Sequence, residues 1–173
     1  MKIAMIGTHG TGKTTAVHEI IAMLKKNSID AGYLEEVARR SPLPINEETT
    51  KESQSWIFYE HIAREIEMEH KSQIVVCDRS ILDIYSYYFR KFGKNNAMEE
   101  VIKERMPTYS RLFYFPLDRF KNRLQNDGVR EMRKKFQEEI DRVVKDLLAQ
   151  FEVKYETYHH PKKTLDNVLS LIR

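Results

Sequence analysis

An α/β domain with parallel strands is the fold class this sequence predicts, and three observations predict it. Lys2–Ile6 is a short apolar run that leads, across glycines at 7, 10 and 12, into a helical stripe of Val17, Ile20, Ile21 and Leu24. Residues 74–77, Ile-Val-Val-Cys, form a β-branched run closed by Asp78, the pattern of a fully buried parallel strand. Residues 111–115 form another run, stopped by Pro116. At 173 residues the chain makes a single domain with one sizeable core.

Between the first strand and helix stands Gly7-Thr8-His9-Gly10-Thr11-Gly12-Lys13-Thr14, a Gly-x-x-x-x-Gly-Lys-Thr loop. Its glycines let backbone N–H groups turn inward around phosphate oxygens, and the helix N-terminus adds partial positive charge. Lys13 is expected to reach the β- and γ-phosphates, and the Thr14 hydroxyl to ligate the Mg²⁺ that bridges them. Thr15 is assigned to the phosphate site and to the cap of the helix. A nucleoside triphosphate, ATP, is the expected ligand.

After breaks at Asn27-Ser28 and Asp30-Ala31-Gly32, Tyr33-Leu34 reads as a second strand ending in Glu35-Glu36. Carboxylates there stand at the edge of an open α/β sheet where ligands bind, so Glu35, Glu36 and Arg39 are placed toward the phosphates. Pro42 and Pro44 break the chain before a long helix over residues 47–71, whose inward face is read as Trp56, Tyr59, Ala63 and Ile66. Gln54 and Tyr59 are candidates to meet a substrate base. Asp78 is the second strong signal, as a Mg²⁺ ligand or proton acceptor, with the cap of the next helix as its structural alternative. Arg79 beside it can neutralise transferring charge.

The helix Ile81–Phe92 is apolar nearly all round, with three tyrosines that line a pocket or pack the core. Residues 93–96 end it, and a further helix spans 97–106. Arg119, Arg123, Arg130 and Arg133 flank the turn Asn126-Asp127-Gly128, which predicts a basic helical lid over about 117–134. The following helix, to about 150, is read as structural. Val153-Lys154-Tyr155 is a weak fifth strand, and 163–173 closes the chain as a helix. His159-His160 lacks a third ligand at metal spacing, so its loop is placed over the nucleotide base.

Composition narrows the classes. A net charge of +3 on 29 basic and 26 acidic residues says little about nucleic acid, and anionic substrates fit it equally well. The single cysteine excludes an internal disulfide framework and points to a reducing cytoplasm. No run approaches membrane-spanning length, and the chain enters a strand at once without a signal-peptide pattern.

The glycine loop, Glu35-Glu36-Val37-Ala38-Arg39, Cys77-Asp78-Arg79-Ser80 and Asp127-Gly128-Val129-Arg130 together resemble the P-loop nucleoside and nucleotide kinases. Glu-x-Val-Ala-Arg and Asp-Arg-Ser look like motifs of deoxynucleoside kinases, and Asn-Asp-Gly-Val-Arg like bacterial ribosylnicotinamide kinase domains; thymidylate kinase is a third relative. The resemblance implies a three-layer α/β/α fold, with a five-stranded parallel sheet, the first strand central, and a lid between strands four and five. It implies an ATP- and Mg²⁺-dependent kinase for a nucleoside or nucleotide-like small molecule; a homodimer is the assembly considered. Catalytic roles then fall on Lys13, Glu35 or Glu36, Asp78, Arg79, Arg123 and Arg130. Gly7 to Thr15 and Arg119 would hold ATP, and Thr14 and Asp78 the metal. The acceptor acid is either Glu35 or Glu36, and Arg40-Ser41 replaces the tryptophan of the deoxynucleoside kinases. A regulatory nucleotide-hydrolysing switch and a polynucleotide 5′-hydroxyl kinase are the alternatives.

Overall fold

The computed structural model of the chain describes residues 1–117 and 134–171. Strands β1 (Lys2–Ile6), β2 (Ala31–Leu34), β3 (Ile74–Asp78), β4 (Arg111–Tyr114) and β5 (Glu156–Thr157) form one sheet. Their order is β2-β3-β1-β4-β5, and every neighbouring pair is parallel. The expected five-stranded parallel sheet with its first strand central is what the chain forms. Helices α1 (Lys13–Lys26), α2 (Lys51–Glu69), α3 (Ile81–Phe92), α4 (Asn96–Arg105), α5 (Lys134–Gln150) and α6 (Pro161–Leu169) cover it.

Strand alternation divides the core into two. Ile3, Met5, Val76 and Phe113 face α1 and α6, packing on Val17, Ile20, Leu24, Leu165 and Val168. Ala4, Ile6, Val75, Cys77 and Leu112 face α2 to α5, packing on Phe58, Leu82, Tyr85, Ile102, Ile140 and Val144. Both faces are buried, which is why the strands read as continuous apolar runs. The register sets Met5 beside Asp78, bringing the ends of β1 and β3 level at one edge. The glycine loop and the Asp78-Arg79 pair leave the sheet there. Among the described residues no helix is long and apolar enough to cross a membrane.

Several expectations about elements are corrected. The helix expected from residue 47 begins at Lys51, because Thr50 caps it: its hydroxyl accepts from the Ser53 N–H, and the Ser53 side chain answers the Thr50 N–H. Residues Asn46–Glu48 form a separate 3-10 turn. The inward face of α2 is also different. Ser53, Gln54, Ile57, Phe58, His61 and Glu65 are buried, while Tyr59 is 50% and Ile66 43% exposed. The cause is a buried ion pair: the Lys2 ammonium, at the start of β1, donates to the Glu65 carboxylate at 2.8 Å with neither side chain exposed. Arg105 adds a contact at 3.2 Å and the Tyr109 hydroxyl another, holding Glu65 inward against its polarity.

The second strand starts at Ala31 rather than Tyr33, and the fourth stops one residue short of Phe115. The fifth falls at Glu156–Thr157, three residues late, because the Val153 N–H already donates to Leu148 O in the turn that ends α5. Helix α6 starts at Pro161, with the His160 ring nitrogen accepting from the Lys162 N–H at 3.2 Å, and runs to Leu169. The predicted lid, with Arg119, Arg123, Asn126-Asp127-Gly128, Arg130 and Arg133, lies outside the described residues.

Candidate active site

The loop from Gly7 to Thr14 turns its side chains into the protein and its backbone outward: Thr8, His9, Thr11 and Lys13 are all buried. Gly7 has φ +125°, and a Cβ there would stand 2.8 Å from the Phe115 carbonyl oxygen, so the start of the loop admits glycine alone. The Gly7 N–H donates to Asp83 Oδ1 at 2.7 Å. Gly12, left-handed at φ 85°, occupies the N-cap position of α1. No side chain among the described residues caps this helix, and Thr15 is exposed, which corrects its assignment as the cap. The first-turn N–H groups are therefore left for an anion.

Lys13 folds back on the loop, donating to Thr8 O at 2.5 Å and to Thr11 Oγ1 at 3.4 Å. Burial, and next the nearby Arg79 charge, draw its pKa down to about 8. A bound polyphosphate would restore the charge. Mg·ATP binding at pH 8.5 should thus take up roughly 0.5–1 proton, with affinity falling as pH rises through 8. Calorimetry in two buffers of different ionisation enthalpy reads this as a slope, expected to vanish at pH 7 and in Lys13→Arg. A zero slope at pH 8.5 would show that Lys13 is already charged in the free loop, and an unchanged slope in Lys13→Arg that the proton is taken up elsewhere.

Thr14 Oγ1 donates to Asp78 Oδ2 at 2.6 Å across the ends of α1 and β3. The structural alternative for Asp78 is removed, because α3 is capped by Ser80, whose hydroxyl accepts from the Asp83 N–H. Burial, and after it the Glu36 charge, push the Asp78 carboxyl above its ordinary value. Hydroxyl and carboxylate are hard oxygen donors, the kind Mg²⁺ takes. Among the described residues no three His, Cys, Asp or Glu side chains form a metal-binding group, so phosphate and water would supply the rest of any shell. The pair fits a magnesium ion that arrives with its nucleotide.

The two candidate acids separate. Glu36 accepts from Arg79 Nε at 2.6 Å and from Arg39 Nε at 3.1 Å. Burial acts to raise its pKa, but Arg79, Lys13 and Arg39 together hold it at about 2. Glu35 pairs instead with Arg40 at 2.9 Å, both half-exposed. Arg79 continues inward, donating to the Tyr87 hydroxyl at 3.2 Å and to Gly7 O at 3.5 Å. Its φ of 104° is strained for a side-chain-bearing residue and turns the guanidinium under the loop. Tyr87 lies 3.3 Å from His9 Nδ1, so Glu36, Arg79, Tyr87 and His9 form a continuous chain.

Beside that chain is a recess lined by Glu36, Asn46, Gln54, Arg79 and Tyr87, with aliphatic walls including Ile45 and Ile57. Gln54 lines it; Tyr59 does not, being on the exposed face of α2. Of the three tyrosines Tyr87 lines the recess, while Tyr85 and Tyr88 pack in the core and bond Asn95. The loop after β5 starts with Tyr158 stacked on Phe115, ring centroids 4.0 Å apart, alongside the glycine loop.

Two residues of the site were missed in the sequence. Asp83 ties Gly7 to the N-terminus of α3, and Ser80-x-x-Asp83 was a visible capping signal. Gln137 of α5 donates to His9 O at 2.7 Å, and its own carbonyl accepts from the Thr8 hydroxyl at 3.1 Å. That correction makes α5 more than structural. Arg119, Arg123 and Arg130 lie outside the described residues.

A glycine loop between central strand and helix, with a lysine and threonine at its end and an acid on the adjacent strand, defines a P-loop nucleotide-binding protein. Residues 2–163 match the family described as an AAA domain, and the chain belongs to that family. No curated relative matches the sequence. Among solved structures the fold is similar to deoxyadenosine kinase from M. mycoides with products dCMP and a flexible dCDP bound. The TM-score is 0.64 at 13% identity, over 99% of this chain and 98% of that one. At that identity the likeness is one of fold.

Proposed function

We propose that this protein is an ATP- and Mg²⁺-dependent kinase that transfers the γ-phosphoryl group to a hydroxyl or phosphate of a nucleoside-like small molecule. The observation that carries this is the recess adjoining the phosphate loop, edged by the Glu36–Arg79 pair and about 50 Å³ in volume, which a nucleoside would have to widen on entry. A nucleotide switch needs no second small-molecule site. The similarity in fold to deoxyadenosine kinase agrees with a nucleoside acceptor.

In this reading the loop N–H groups and Lys13 hold the β- and γ-phosphates, and Thr14 and Asp78 hold the magnesium. The metal neutralises charge on the phosphates when bound. Gln54 and Asn46 hydrogen-bond the polar edge of the acceptor. Glu36, ionised at any working pH, accepts the hydrogen bond of the attacking hydroxyl and so aims its oxygen at the γ-phosphorus. The new O–P bond forms as the bond to the β-phosphate oxygen breaks, and the hydroxyl proton passes to water. Arg79 faces the charge on the transferring group, with Arg119, Arg123 and Arg130 assigned to it on sequence grounds. The loop from Tyr158 is assigned to the nucleotide base. A cytoplasmic setting fits the single buried cysteine.

The test is acceptor-dependent ADP release with Mg·ATP across nucleosides, nucleotides and nicotinamide riboside. At least one should raise ADP release by about a hundredfold or more over the protein alone. ADP released at one slow rate whatever is added would identify a switch instead, and stimulation only by 5′-hydroxyl oligonucleotides a polynucleotide kinase.

A further inference from the structure

Three contacts converge on one turn of α5. Gln137 bonds the loop at Thr8 and His9, as above. The Phe136 ring lies against those of His9 and Tyr87, at centroid distances of 5.7 and 6.1 Å. Glu139 accepts from Arg90 at the end of α3, with Nη2 at 2.7 Å and Nε at 2.8 Å, and the same guanidinium sits 4.2 Å over the Phe136 ring.

Arg90 also faces the other way. Its Nη2 is 3.7 Å from the Glu47 carboxylate, in the 3-10 turn whose first residue, Asn46, lines the acceptor recess. The next residue, Lys91, donates to the carbonyl oxygens of Glu47 and Thr49, at 2.8 Å for the latter, and fixes that turn to α3. Asn46 itself is left-handed, at φ 59°. The rim of the recess is therefore held by the C-terminal end of α3, whose Arg90 meets the phosphate loop through one turn of α5, while the start and middle of α3 touch the loop directly through Asp83 and Tyr87.

We propose that Arg90 is a positioning residue that couples nucleotide binding to the rim of the acceptor recess, an inference that rests on the reading of the loop as a nucleotide site. The driving step is local. When Lys13 leaves Thr8 O for a phosphate, the Thr8-His9 backbone that Gln137 holds must readjust, and α5 moves with it. Arg90 passes that readjustment to Glu47 because one guanidinium engages both acids. Coupling of this kind amounts to a few-fold to tenfold change, as expected for half-buried charge pairs rather than a core contact. Neither Arg90 nor Glu139 lines the recess or the loop, so the effect acts through other residues.

Amide hydrogen exchange with and without Mg·AMP-PNP, a non-hydrolysed ATP analogue, tests this. In the wild type the nucleotide should slow exchange in the loop, residues 7–15, and by roughly threefold or more in residues 45–50. Arg90→Ala should keep the first protection and lose the second. Glu139→Gln, which leaves the rim contacts in place, should do the same. Persistence of the 45–50 protection in both variants overturns the proposal, as does a lower Tm with an unchanged ligand-induced ratio, which marks a structural role. Loop protection without rim protection in the wild type defeats the coupling alone. An unprotected loop defeats the nucleotide reading, and the coupling with it.

Discussion

Lys13→Ala is expected to lower kcat/KM for the best acceptor about a thousandfold or more, some 4 kcal/mol of transition-state stabilisation, while Tm moves by only a few degrees. The two halves have separate causes. The ammonium is the cation built into the loop itself, buried and already held beside the backbone that receives phosphate. Its removal takes charge from the β- and γ-phosphates, and Arg79, held in its own place by Glu36 and Tyr87, does not move into the place it leaves. The stability half is small because Lys13 makes two hydrogen bonds within the loop and no apolar core contact depends on it. Losing them costs about 1 kcal/mol. Acceptor-dependent ADP release and a melting curve on the same preparation decide the matter. Retained turnover would remove the loop from the mechanism; collapse of the fold would make Lys13 a structural residue.

What could be seen in the sequence, and what could not, divides by range. The loop, β1 and α1 were legible because glycine spacing and the strand-to-helix change of period are local signals. Asp78 was legible because a strand buried on both faces is almost pure β-branched sequence, and the acid at its end stands out. The sequence reading leaves Glu35 and Glu36 as alternatives, although strand alternation shows which of them turns toward the core side. Leu34 faces the core beneath α2 and α3, so two residues on Glu36 returns to that side, where Arg79 waits, and Glu35 falls opposite.

The inward face of α2 was misread for a different reason. Hydrophobic periodicity treats Glu65 as an outward residue, and only the three-dimensional position of Lys2, 63 residues earlier, draws it inside. Gln137 had no sequence signal at all: its contact with His9 spans 128 residues, and a glutamine on a helix is ordinarily solvated. Interior polar pairs and long-range loop contacts are the parts of a site that patterning cannot reach, since each exists only once two distant segments have packed.

Asp78→Asn is expected to do two things in opposite directions: lower kcat by about a hundredfold to a thousandfold and leave stability unchanged or higher. Asparagine keeps the shape and can still accept the Thr14 hydroxyl, so the junction of α1 and β3 holds. What is lost is the negative charge that would hold the magnesium, so the metal concentration for half-maximal rate should rise as kcat falls. The stability effect follows from the sign of the carboxyl's shift. Burial and the Glu36 charge raise the Asp78 pKa in the folded state. The ionised form is therefore penalised by folding above that raised pKa, and the penalty disappears below the unfolded value. The amide removes it at neutral pH, and with it the repulsion from Glu36. Magnesium reverses the balance when it binds, because a divalent cation beside the carboxylate favours ionisation. Melting curves should thus show the wild type gaining more than the variant from added Mg·AMP-PNP, although the variant starts equal or higher. A variant that melts earlier and turns over normally would assign Asp78 to the architecture of the sheet edge and leave the metal without its protein carboxylate.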